Sequence, residues 1–372
     1  RRKNFIRPED FPYTASTGLV HDSGDYGAVL DTALTIVGYG ELREEQSRRR
    51  SAGGPWLGIG LATFVDRTAG VPGGEYGSVE LTPAGGALVR TGSTPYGQGH
   101  RTSWAMLVAE RTGIPIEDIQ VVYGDTDVIP RSGVTGGSRS VQKAGAAVAL
   151  ATDQLVLRAR NLASELLEAA VEDVVLDVAA GGRFHVAGTP SLSIGWREVA
   201  EGAAGGRLPG LRCEADADGE ATVPFGAYVA VVEVDAETGA VKLLRLVTVD
   251  DAGRILNPLI AAGQVHGGAA QGIGQSLLEQ FEYDLDGNPL TPNFIDYPLP
   301  SATELPLFET SFVETPSPNN VLGAKGLAES GTIGAPPAVQ NAVVDAVRHL
   351  GVTHIDMPCT PERVWSAIRR GR

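Results

Sequence analysis

The sequence predicts an α+β protein built from repeated units in which a glycine-rich turn feeds a helix. Four glycine-rich stretches, at 97–102, 136–145, 263–274 and 323–337, each run into a segment of helical periodicity. Two hairpin patterns, YGSVELTPAGGALVRTGS and AYVAVVEV–DAETG–AVKLLRLVTVDD, place antiparallel strands in the same chain. The 48 glycines and 23 prolines are spread between periodic segments, which marks many turns and not a disordered tract.

Residues 1–26 are turn-rich and end in HDSGDY, where Asp22, Ser23 and Asp25 can each cap a helix. Leu30, Ala33, Leu34 and Val37 recur at helical spacing, so one helix is expected over Ala28–Arg50. Its terminal Arg48, Arg49 and Arg50 complement the helix dipole and need bind nothing else. SAGGP at 51–55 is a break. From Trp56 to Gly92 the pattern is β, with Pro83–Gly86 as the hairpin turn. A turn at YGQGH then leads a helix that Gly113 ends, and IQVVYGDTD reads as a strand and an acidic turn. Residues 131–145 are a second Gly/Ser-rich turn, followed by a long helix to about Ala170. The stretch 171–212 is weakly patterned, with short strands and the segment WREVA. The strongest hairpin follows. After NPL, AGQVHGGAAQGIGQ reads as a glycine-rich turn leading a helix to Phe281. A helix over 336–349 is expected to open at Pro336 and Pro337, with Val339, Val343, Ala346 and Leu350 as its apolar stripe. PERVWSAIRR closes the chain as a helix. This organisation suggests three segments: a linker and helix at 1–55, an α+β subdomain at 56–212 and a second at 213–372.

The formal net charge of −15 argues against a nucleic-acid or anionic-membrane partner. No apolar run reaches membrane-spanning length, and RRKNFIRPED lacks the apolar core of a signal peptide. Cys213 and Cys359 stand alone, which excludes an iron–sulfur or structural zinc cluster built from this chain and fits a reducing, cytoplasmic compartment. The chain does not begin with Met, so a processed subunit, a fragment or the ordered remainder of something longer are all expected alternatives.

Chemistry concentrates in GAKGLAESGTIGAPP at 323–337. Glu329 is the one acid there, set among small residues that let backbone approach a bound molecule, with Lys325 as its local countercharge. Taken alone, the segment reads first as a flexible loop with one exposed carboxylate. Glycine turns at helix starts can bind phosphate, and Gln98, Ser138, Arg139, Ser140 and Gln264 add hydrogen-bonding groups to them. His100 and His266 have no second ligand at metal spacing and read as structural or supporting residues. Asp125 and Asp127 read as a capped turn. Rossmann, Walker A, nucleophile-elbow and HExxH fingerprints are all missing.

Five stretches in order carry a resemblance: YGQGH at 96–100, VVYGDTD at 121–127, GGSRS at 136–140, VDDAGRILNPLIAAGQVHGGAAQGIGQ at 249–275 and GAKGLAESGTIGAPPAVQNAVVDAV at 323–347. Together they resemble the C-terminal part of the molybdopterin-binding large subunits of the xanthine dehydrogenase, aldehyde oxidase and carbon monoxide dehydrogenase family. The resemblance implies a molybdenum-cofactor-binding α+β fold with mixed sheets. It also implies a molybdenum–molybdopterin cofactor in the cytosine dinucleotide form, the metal being held through the pterin and not by side chains. The positions it assigns to the cofactor are Gly97, Gln98, Gly99, His100, Thr135, Gly136, Gly137, Ser138, Arg139, Ser140, Gln264, Lys325 and Gly326. Glu329 falls on the family's catalytic base. The implied reaction is oxidative hydroxylation of an aldehyde, an N-heterocycle or a small carbon substrate, with water as the oxygen source. Electrons would leave to a [2Fe–2S] subunit and an FAD subunit, and the N-terminal half of the molybdenum subunit would come from another chain or a missing segment. Ala328 departs from the glycine that usually precedes the catalytic glutamate, which would crowd the site if φ there were positive. A non-catalytic assembly subunit that keeps the fold is the contrasting expectation, and a dinucleotide-binding protein of unrelated fold is a third.

Overall fold

The computed structural model describes residues 1–53, 55–204 and 211–371, so Gly54 of the expected SAGGP break lies outside them. In chain order the elements are β1 (Tyr13–Thr14), β2 (Val20–His21), α1 (Tyr26–Val37), α2 (Tyr39–Ala52), β3 (Trp56–Val65), β4 (Glu75–Leu81), β5 (Ala87–Thr91), α3 (His100–Thr112), β6 (Ile119–Tyr123), α4 (Ala146–Leu166), β7 (Val174–Asp177), β8 (Arg183–Val186), β9 (Thr189–Ile194), α5 (Trp196–Gly202), β10 (Arg212–Ala217), β11 (Phe225–Val234), β12 (Val241–Asp251), α6 (Pro258–Leu277), β13 (Phe308–Phe312), α7 (Ser330–Val347) and α8 (Pro361–Gly371). Helices and mixed sheets are combined, as the α+β reading expects.

Two compact units interleave along the chain. The first comprises Arg1–Arg67, Val223–Pro316 and Leu327–Arg372; the second comprises Thr68–Thr222 and Ser317–Gly326. Contiguous segments were the expectation. Pairing of β3 with β11, from Val65 opposite Phe225 to Trp56 opposite Val234, draws residues 56–65 into the first unit instead.

In the first unit the sheet order is β13-β12-β11-β3, with only β12 and β13 parallel. β11 is buried on both faces: Tyr228, Ala230 and Val232 face one core, while Ala227, Val229 and Val231 face the other. That explains its continuous apolar run where a half-exposed strand would alternate. One core packs α7, α6 and α8 residues such as Val339, Val343, Val265 and Val364. The other packs α1 through Val29, Leu30 and Ala33. α1 begins where the Asp25 carboxylate accepts from Ala28 N at 2.9 Å. The single helix expected over Ala28–Arg50 is two, because Gly38 adopts left-handed φ 67° and ends α1 before α2 starts. α2 is tied down by Asp345 of α7, whose Oδ2 accepts from Arg43 at 2.6 Å, Gln46 at 2.6 Å and Ile59 N at 2.9 Å.

One glycine-based and one proline-based expectation are corrected here. AGQVHGGAAQGIGQ lies wholly inside α6, which starts at Pro258 under an Asn257 cap that accepts from Ile260 N at 3.1 Å. Its glycines serve close packing: a Cβ at Gly268 would lie 3.0 Å from Thr332 N, and one at Gly272 would lie 2.8 Å from the Pro336 ring. α7 begins at Ser330, six residues before the prolines, so Pro336 and Pro337 sit inside it.

In the second unit the sheet order is β10-β4-β5-β6, with β5 and β6 parallel, and β7, β8 and β9 form a small antiparallel sheet. The hairpin predicted over 76–93 is the β4–β5 pair, at 75–91. α3 ends at Gly113 in left-handed conformation, as expected. Residues 141–145 form one turn of π-helix before α4, a wider turn that inserts an extra residue into the helical repeat.

Candidate functional site

The second unit gathers most of the predicted cofactor positions around two turns. Gly97 (φ 108°) and Gly99 (φ 75°) adopt conformations that glycine allows cheaply, and Gly99 caps α3. Gln98 folds back to accept from Tyr96 N. His100 is buried; its Nδ1 lies 3.3 Å from the Ser93 carbonyl and its ring packs against Trp104. Ser93 in turn joins the GGSRS turn, since its hydroxyl lies 3.2 Å from Thr135 Oγ1 and donates to Ser140 Oγ at 2.8 Å. His100 thus braces the first turn against the second from beneath. Burial lowers the His100 pKa, so its unfolded state binds a proton more readily than the folded one. Stability is therefore expected to fall as pH drops below the ordinary histidine range. A shallower decline in denaturation midpoint between about pH 7 and 5 for His100→Gln is the check.

The GGSRS turn has Gly137 at φ 64° and Ser138 at φ 48°, two successive left-handed residues. Gly136 and Gly137 are exposed, and a Cβ at either would meet nothing within 4 Å, so bare backbone faces open space. Arg139 points the other way. It is 2% exposed, lies 3.4 Å from the equally buried Glu75 and donates to the Gly73 carbonyl at 2.6 Å. Lys143 runs parallel to it, bonding the Val71 and Gly73 carbonyls and Asp218 at 3.0–3.1 Å. Both cations are therefore committed to shaping the turn.

A buried ring of side chains that sequence reading missed fastens the 317–326 segment to this turn. Thr222 donates to Gln142 Oε1 at 2.8 Å, Gln142 Nε2 donates to Thr68 Oγ1 at 3.0 Å, and Thr68 closes the ring onto Thr222. Gln142 also holds the Ser138 carbonyl at 2.9 Å, and Gly326 N donates to Thr68 Oγ1 at 3.1 Å. Lys325, beside it, is buried. One signal was available: Gln142 sits four residues after Ser138 in a segment that otherwise becomes alanine-rich. A Cβ at Gly326 would fall 2.4 Å from Ser138 Cβ and 2.5 Å from Thr68 Cβ. Gly326→Ala is thus expected to destabilise the second unit by about 1–3 kcal/mol, read as a lower midpoint in chemical denaturation.

The first unit holds Glu329 and Gln264. Glu329 is the cap residue of α7: its carbonyl accepts from Ile333 N at 3.0 Å, while its side chain does not cap the helix. The residue is half-buried and its Oε2 is shielded from solvent. A helix N-terminus is electrostatically favourable for a carboxylate. Among the described residues the left-handed non-glycine positions are Ala69, Ser138 and Glu168, so Ala328 carries no such strain. Gln264 is half-buried on α6 between Gly263 and Gly267, where an added Cβ would again meet nothing within 4 Å. His266 Nε2 lies 3.1 Å from Thr310 Oγ1. Behind the head of α7 lies Asp250, 1% exposed, which accepts from the Tyr228 hydroxyl at 3.1 and 3.3 Å and from the Ser330 hydroxyl. Burial pushes its pKa up to about 7, with Asp251 adding to the rise. The VDD run placed an acid at the end of an apolar strand, which was the legible sign of it.

The model of the molybdopterin cofactor-binding domain matches residues 32–306. The chain belongs to the molybdopterin cofactor-binding family. It is 42% identical to the carbon monoxide dehydrogenase large chain of Hydrogenophaga pseudoflava, over 99% of this chain and 48% of that protein. It is 32% identical to a putative xanthine dehydrogenase molybdenum-binding subunit of Escherichia coli K12, over 83% of this chain and 41% of that one. Its fold matches a crystal structure of the Cu,Mo-CO dehydrogenase with TM-score 0.93 and 36% identity, covering all of this chain and 49% of that one. Quinoline 2-oxidoreductase of Pseudomonas putida 86 matches with TM-score 0.90 and 34% identity, over 99% of this chain and 49% of the other. This molybdopterin-binding chain therefore spans about half the length of the relatives it matches. The resemblance read from its five motifs and the expected fold class both stand.

Proposed function

We propose that this chain is the glutamate-bearing half of a molybdenum hydroxylase. The single observation that carries the reading is Glu329 at the head of α7, in a unit whose α6 exposes bare backbone beside Gln264. The residues present fit a large phosphate-bearing pterin. Open glycines at 97, 136 and 137 would admit it closely, and the neighbouring donors are neutral amides and hydroxyls. In the second unit Gln98 and the backbone of the GGSRS turn would hold it, in the cytosine dinucleotide form, and in the first unit Gln264 is the candidate cofactor contact. Arg139 and His100 would serve by fixing those turns, Lys325 and Gly326 by carrying the loop that leads toward Glu329. When bound, the group supplies Lewis acidity and a two-electron acceptor. Glu329 acts as the general base, taking a proton at its carboxylate as the substrate is hydroxylated with oxygen from water. Electrons pass to [2Fe–2S] and FAD partner subunits, and the remaining half of the molybdenum subunit completes the site in a cytoplasmic complex. An aldehyde, an N-heterocycle or a small carbon molecule is the substrate class.

Multiple turnovers of the assembled complex in ¹⁸O-labelled water, run over a panel of these substrates, test the reaction. Label from water in the product is the expected result. Product oxygen drawn from O₂, or no oxidation of any class, overturns it.

A further inference from the structure

Glu329 is only as well placed as the first turn of α7, and that turn is short of backbone ties. Pro336 and Pro337 lack the N–H groups that would bond the carbonyls of Thr332 and Ile333. Side chains and packing must therefore hold the turn. Thr332 Oγ1 donates to the Gly268 carbonyl of α6 at 3.2 Å. On the sheet side, the Ser330 hydroxyl donates to Asp250. Asp250 is itself tied into the sheet: it pairs with Gly226 on β11 and Phe312 on β13, and its carbonyl accepts from Val313 N at 3.0 Å. Gly226 leaves the carboxyl its room, since a Cβ there would lie 2.9 Å from Asp250 Oδ1. Tyr228 supports the same carboxyl and also seats the helix, because a Cβ at Gly334 would lie 2.6 Å from its ring. Phe64 packs edge-on to Tyr228 at 5.3 Å and closes the cluster.

We propose that Asp250 is a positioning residue for Glu329: it clamps Ser330, the next residue, to the rigid sheet and so fixes the direction of the carboxylate. This rests on Glu329 being the base. Asp250 touches no reacting atom. It acts through Ser330, and the two hydroxyl donors, Tyr228 and Ser330, offset part of the cost of burying its carboxylate.

The test uses the assembled, cofactor-loaded complex. Asp250→Ala should lower kcat by roughly 10²-fold with KM nearly unchanged. It should also speed amide hydrogen exchange in the 327–335 segment by about tenfold. Asp250→Asn, which keeps an acceptor for both hydroxyls, should restore kcat and exchange to near wild type. Ser330→Ala removes the other end of the clamp with little change in volume, and it carries the test if Asp250→Ala does not fold. It should move both readouts in the same direction. Wild-type exchange in 327–335 for Ser330→Ala, or an Asn variant as impaired as the Ala variant, overturns the proposal. Full activity in Glu329→Gln would instead sink the reading of Glu329 as the base, whatever the exchange data show.

Discussion

Glu329→Gln is expected to remove about 10²–10⁴-fold from kcat in the assembled complex, the range general-base catalysis contributes. The substitution keeps the shape of the side chain and its place at the head of α7, and it removes only the ability to take a proton. KM and molybdenum content should therefore hold near wild-type values, which separates a lost base from a lost cofactor site. Glu329→Asp, one methylene shorter, should fall between the two. Steady-state kinetics with parallel metal analysis is the check. A Gln variant with wild-type kcat would assign the proton transfer to another group.

Gly60→Ala should have the largest effect on folding. Gly60 lies on β3 where α7 crosses it, and a Cβ there would come within 2.0 Å of the Ala338 carbonyl and 2.2 Å of Ala342 N. Both obstacles are backbone, so no rotamer change relieves them. Gly58 meets the same helix one turn later, at 2.0 Å from the Ala342 carbonyl. The helix would have to lift off the sheet, opening the core that Ala338, Ala342 and Ala346 close with no exposed surface. A cost of about 3 kcal/mol or more is expected, at the upper end for overpacking. It should appear as a lower denaturant midpoint or as insoluble protein. Because Glu329 rides on α7, any folded Gly60→Ala protein should also lose turnover.

These glycines explain how the sequence was legible in parts. Strands and hairpins were readable because their apolar runs and turn residues act locally: 75–91 and 225–251 both pair as the patterns predict. Glycine and proline misled where their meaning is tertiary. Gly268 and Gly272 signal close helix packing and not a turn, and Pro336 and Pro337 are tolerated inside α7 by its packing on β3 and α6. Gly38 went the other way, breaking a helix that side-chain periodicity had run through. At the candidate site, Glu329 stood out as a lone acid among small residues. The Thr68–Gln142–Thr222 ring and the Asp250–Ser330 clamp join residues from 74 to 154 positions apart and about 80 apart along the chain respectively, so no local pattern announces them.

The central claim is that this chain helps hold a molybdenum cofactor beside Glu329. Metal analysis of the purified complex containing it tests that most directly. About one molybdenum per chain is expected, in wild type and in Glu329→Gln alike. A molybdenum-free complex that is fully active without Glu329 would contradict the account.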